Sequence, residues 1–60
     1  MQISLDEQIS EVDRELFKRA TVYARLVSRG KLDQATADHQ VKVMQAVLLT
    51  LIDLRKGQAA

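Results

Sequence analysis

The sequence predicts an all-α protein, an antiparallel two-helix hairpin that dimerises into a four-helix bundle. The chain of 60 residues has no proline and only two glycines, which favours long helices. Its apolar residues recur at steps of three and four, the spacing of one face of a helix. A chain of this length buries only about 60% of the surface that its unfolded form exposes. It has no cysteine for a disulfide, so a partner subunit is expected to supply the missing stability.

The first helix is predicted over about 4–29. Ser4 and Glu7 fit a capping box, in which each side chain accepts a hydrogen bond from the backbone amide of the other residue. The apolar positions that follow lie on one face: Leu5, Ile9, Val12, Leu16, Ala20, Tyr23 and Val27. Gly30 suits the left-handed conformation that often ends a helix. Because the turn, 30–32, is short, the two helices are expected to be antiparallel neighbours.

The second helix is predicted over about 33–56, with Asp33 as its N-cap and Gly57 as its stop, and a frayed tail over 57–60. Its apolar arc is about 180° wide against about 120° in the first helix, more than one facing helix covers. We therefore expect a homodimer. The core or dimer residues in this arc are Val43, Met44, Val47, Leu48, Leu51 and Leu54. A broken coiled coil is the alternative topology, but Arg19 at a heptad core position and Gly30 disfavour it.

Several function classes lack the residues that they need. His39 is the only histidine and cysteine is absent, which argues against zinc sites of the usual kind. Glu7, Glu11 and Glu15 are spaced at four on the outside of the first helix, where we expect them to be solvated and not enclosed in the pocket that acid–base catalysis needs. We therefore predict a protein that is not an enzyme and uses no metal or cofactor. The N-terminus shows no signal peptide, and no apolar run approaches the roughly 20 residues of a membrane span, so a cytoplasmic location is expected.

The charges are sorted along the chain. Residues 1–15 hold five acidic residues and one arginine, 16–31 hold five basic residues and no acidic one, and the remainder is balanced. Acidic residues near a helix start and basic ones near its end also complement the helix dipole. The outer face of the first helix is nevertheless predicted to bind an acidic patch on a partner protein, since arginine and aromatic residues are enriched at interaction hot spots. The residues of this face are Arg14, Phe17, Lys18, Arg25 and Arg29.

The alternative function is a dimeric RNA- or DNA-binding regulator that uses the same basic face. Its architecture would resemble that of Rop, the plasmid copy-number RNA-binding protein, which is also a dimeric helical hairpin. This comparison concerns the fold alone, and a fold does not determine a function.

Four short motifs in the sequence give a further indication of the function. They are Val22-Tyr23, Gly30-Lys31-Leu32, Ala37-Asp38 and the run from Met44 through Ala46-Val47-Leu48. This pattern resembles a family of short helical-hairpin proteins encoded by bacteriophages and prophages of Gram-negative bacteria, over roughly residues 3–54. The resemblance implies a small protein that binds and modulates a host protein inside the bacterial cell.

Overall fold

The computed structural model describes residues 2–59 and contains two helices, α1 (Leu5–Ser28) and α2 (Gln34–Ala59). The chain folds back at the turn, and the two helices pack against each other in a molecule of 46 × 20 × 14 Å. The predicted all-α hairpin is therefore confirmed over the described residues. The alternative topology, a broken coiled coil, is wrong, because the two helices are antiparallel neighbours within one chain.

The start of α1 is fixed by side-chain caps. Ser4 has extended backbone angles, φ −66° and ψ 158°, and its hydroxyl accepts a hydrogen bond of 3.1 Å from the Glu7 amide. This bond is the serine half of the predicted capping box, and it satisfies one of the amides that a helix start leaves free. The Gln8 side-chain amide donates to the Ile3 carbonyl at 3.0 Å and ties the preceding residue to the first turns.

The turn between the helices follows from Gly30, which has φ +71°, a region that residues with a Cβ rarely adopt. The Gly30 amide donates to the Val27 carbonyl at 3.0 Å, and the Lys31 amide donates to the Leu26 carbonyl at 2.9 Å. This pair of bonds is the Schellman motif, which satisfies the last carbonyls of a helix. The predicted role of Gly30 is confirmed.

Asp33 caps α2 as predicted. Its carboxylate accepts a hydrogen bond of 2.6 Å from the Thr36 hydroxyl and one of 3.0 Å from the Thr36 backbone amide. These bonds, the hydroxyl first and the amide second, hold the pKa of Asp33 below its usual value.

The other end of α2 differs from the prediction. The helix runs through Gly57 to Ala59, so the stop at Gly57 and the frayed tail are wrong for 57–59, and residue 60 lies outside the described residues. The physical reason is that a glycine weakens a helix by only about 1 kcal/mol and, unlike proline, does not remove a hydrogen bond.

The core between the helices is thin. Ala37, at 4% exposure, is the one buried residue among those described, and the other apolar contacts are half-buried. From α1 these are Leu5, Ile9, Val12, Leu16, Tyr23, Leu26 and Val27, and from α2 they are Val41, Met44, Leu48, Leu51 and Ile52. Ala20 was predicted on the buried face of α1 but is exposed, whereas Leu26 is half-buried without having been predicted. The hairpin thus covers its apolar residues only in part.

Candidate functional site: two interaction surfaces

Five large apolar side chains are exposed on one side of the hairpin, and we call this surface the apolar face: Ile3, Val22, Val43, Val47 and Leu54. On α2 the last three lie within about 40° of arc at about 100° per residue. Their exposed fractions are 47% for Val43, 44% for Val47 and 54% for Leu54. Isolated exposed apolar residues are ordinary on a protein surface, whereas a contiguous exposed apolar patch is typical of interaction sites.

An open groove joins the two helices on this side. It has a volume of about 540 Å³, and its lining includes Ile3 and Val12 from the N-terminal part of the chain and Val47 and Leu51 from α2. The polar residues Glu7, Gln8 and Glu11 complete the lining. The groove therefore shows that the exposed edges of the two helices belong to a single continuous surface.

Ile3 joins this surface because of its position before the N-cap. A hydrophobic staple would pair it with an apolar residue at the fourth helical position. That position is Gln8, whose side chain instead binds the Ile3 backbone, and the Ile3 side chain is 58% exposed. Sequence reasoning did not identify Ile3 as part of a site, although the mismatch at Gln8 was a signal that could have found it.

The residues predicted as core or dimer contacts of α2 divide into two sets. Met44, Leu48 and Leu51 are half-buried, on the side that faces α1. The other three, Val43, Val47 and Leu54, lie on the apolar face. One neighbouring helix thus covers only half of the wide apolar arc, and the dimer itself stays a prediction.

A polar group lies at the edge of the apolar face. The Nε of Arg19 donates to Oε1 of Glu15 at 2.9 Å, one turn away on α1. Tyr23, and Glu15 after it, raise the pKa of Arg19. This pairing explains how an arginine occupies a position beside the core, where a coiled-coil heptad would need an apolar residue: its charge is matched by Glu15.

The second surface is the basic stripe, which we define as Arg14, Lys18, Arg25 and Arg29. These four exposed residues lie within about 60° of arc on the side of α1 turned away from α2. Arg14 forms an ion pair with Glu11, and its hydrogen bond lowers the pKa of that carboxyl.

Phe17 was grouped with the basic residues in the sequence prediction, but it lies about 60° away from the nearest of them, on the edge remote from the apolar face. It is the most exposed of the large apolar residues at 76%, and Leu49 of α2, at 63%, lies on the same side. The structure thus brings the four basic residues together and sets Phe17 apart from them.

His39 is exposed, and the acidic residues and histidine in 2–59 do not gather into a group of three that could hold a metal ion. Neither of the described helices is long and apolar enough to cross a membrane. Comparison with protein-family profiles, with curated proteins and with solved structures finds no match. The resemblance to phage-encoded hairpin proteins therefore stays a prediction.

Proposed function

We propose that the protein is a non-enzymatic interaction module that acts as a homodimer and binds an acidic surface of a protein partner. The observation that supports this proposal is the division of the hairpin into two surfaces. The apolar face serves self-association, and the basic stripe, on the outside of α1, remains available to the partner. In the setting that the resemblance implies, this partner is a protein of the bacterial host cytoplasm.

Self-association is supported by what the hairpin leaves uncovered. A fully buried side chain of valine, leucine or isoleucine stabilises a fold by about 1.5–3 kcal/mol. About half of this contribution is still to be gained at each of four side chains that are 44–58% exposed, namely Ile3, Val43, Val47 and Leu54. A second hairpin placed on the apolar face would cover these side chains and complete a four-helix bundle.

The acidic character of the partner is inferred from Arg25 and Arg29. Within the described part of the chain no carboxylate pairs with either of them, whereas Arg14, Arg19 and Arg55 each have one. A planar guanidinium binds a carboxylate through two parallel hydrogen bonds, which a lysine cannot reproduce. The end of α1 therefore presents two arginines that are suited to aspartate or glutamate side chains.

Nucleic acid is the second candidate target, and the clustering of the basic stripe favours it. With four basic residues in each copy, a dimer could neutralise eight phosphates. The logarithm of its binding constant would then fall against the logarithm of the salt concentration with a slope of about −7. A protein interface is expected to be less sensitive, because apolar contacts and short-range hydrogen bonds do not release condensed counterions.

The test is capture of proteins from bacterial cytoplasm on the immobilised protein, with and without nuclease. We expect the captured protein to survive nuclease treatment and to be lost with the double variant Arg25→Glu/Arg29→Glu. The matched control, Lys42→Glu/Lys56→Glu, makes the same change of charge on exposed positions of α2 and should retain the partner. Capture that persists in the arginine double variant would place the binding surface elsewhere, and capture that disappears with nuclease would favour the nucleic-acid function.

A further inference from the structure

The hairpin has opposite charges at its two ends. The open-end half, residues 2–15 and 47–59, holds six acidic and three basic residues. The half that contains the turn, residues 16–46, holds six basic and two acidic residues. The net charges are therefore −3 and +4, separated along the 46 Å axis of the molecule. The fold creates this separation, because it places the acidic start of α1 beside the nearly neutral end of α2.

Two hairpins that meet through their apolar faces can be related by a two-fold axis in the plane of contact. An axis along the helices places both turns at the same end, so that each charged half meets its own copy and α1 packs on α2 of the other subunit. An axis across the helices places the turns at opposite ends. In that case α1 packs on α1, α2 packs on α2, and the acidic half of one copy faces the basic half of the other.

We propose, on the basis of the homodimer in the proposed function, that the two-fold axis runs across the helices. Two observations support this choice. Opposite charges then face each other over the whole interface, whereas the other arrangement brings like charges together. In addition, Glu15 and Arg19 lie on either side of the midpoint of α1, at the edge of the apolar face. An axis across that midpoint exchanges the two positions, so that each Glu15 lies near Arg19 of the other copy.

This arrangement also specifies the kind of partner. Because α1 packs on α1, the two basic stripes lie on the same side of the bundle, in antiparallel orientation and about 8–10 Å apart between helix axes. The dimer then presents one continuous basic surface, and a broad acidic face of one partner molecule can engage both copies with the benefit of avidity. In the other arrangement, the two stripes lie on opposite sides of the bundle.

The experiment measures the distance between the two turns. The chain has no cysteine, so Lys31→Cys accepts a single nitroxide label in the turn. In the dimer, pulsed dipolar spectroscopy is expected to give a distance close to the 46 Å length of the hairpin. A second label, Ala46→Cys at an exposed site near the middle of α2, controls for the effect of labelling, since its distance to its copy is well below 46 Å in either arrangement.

Two further readouts complete the test. The dimer dissociation constant should rise several-fold as the ionic strength increases from about 0.01 to 0.1 M, where the Debye length falls from about 30 to 10 Å. A dimer whose turn labels lie within the 20 Å width of the hairpin, or that tightens with salt, would overturn this arrangement alone. A sedimentation mass of 6.8 kDa, that of one chain, would overturn the homodimer of the proposed function as well.

Discussion

Truncation of Leu54 tests the apolar face most directly. Leu54→Ala removes three carbon atoms, worth about 2.4 kcal/mol at about 0.8 kcal/mol per methylene group. Because the residue is 54% exposed in the hairpin, roughly half of that contribution is still to be gained when a second copy covers it. A dimer contains the residue twice, so the expected loss is about 2.6 kcal/mol, or roughly a 70-fold increase in the dissociation constant.

Leu49→Ala is the matched control. It is the same substitution on the same helix, at a residue that is 63% exposed but lies on the opposite side from the apolar face. Sedimentation equilibrium over a range of concentrations should show weaker self-association for Leu54→Ala and an unchanged constant for Leu49→Ala. Equal constants for the two variants would refute the assignment of the apolar face to the dimer, and a selective effect of Leu49→Ala would move the interface to the side of Phe17.

The remaining predictions concern the caps. Gly30→Ala should destabilise the hairpin by about 1–2 kcal/mol in thermal melts, because φ is +71° at this residue. Gly57→Ala should instead stabilise it by up to about 1 kcal/mol, because Gly57 lies within α2 and an added Cβ would meet no other atom. If both changes act alike, the turn does not depend on positive φ. Since the folded pKa of Asp33 is lowered, its contribution to stability is complete above its unfolded pKa and is lost as pH falls through the folded pKa. Carboxyl NMR should show this titration below the usual value, with Thr36→Val raising it; an unshifted midpoint would contradict the cap.

The local features of this fold were predictable because each depends on a few adjacent residues. Ser4 and Asp33 have short polar side chains that accept helix amides, and Gly30 is suited to positive φ, so both helix starts and the turn follow from sequence alone. The prediction that α2 stops at Gly57 was wrong because it, too, relied on one residue alone. A glycine near a helix end permits a stop but does not impose one, and α2 continues through it.

The contacts between the helices were less predictable. The apolar arc of α2 is so wide that the sequence does not determine which part of it faces α1. Leu48 is half-buried and Val43, Val47 and Leu54 are exposed because of the side from which α1 approaches. The wrong assignment on the buried face of α1, where Ala20 was predicted and Leu26 is found, has a similar cause. Which edge of an apolar arc is covered depends on the position of the neighbouring helix, a property of the whole hairpin.

The two helices consequently carry different constraints. α2 is apolar over an arc that serves both α1 and, in the proposed dimer, a second copy, so substitutions across that arc should affect folding and self-association together. The basic stripe on the outer surface of α1 makes no contribution to the packing of the hairpin, since it faces away from α2 and lies beside the apolar face. A change in the stripe can therefore alter the choice of partner while the hairpin stays intact, and a reversal of charge there also weakens the charge pairing of the proposed dimer. In the proposed function, this division of surfaces lets a chain of 60 residues combine self-association with recognition of a partner.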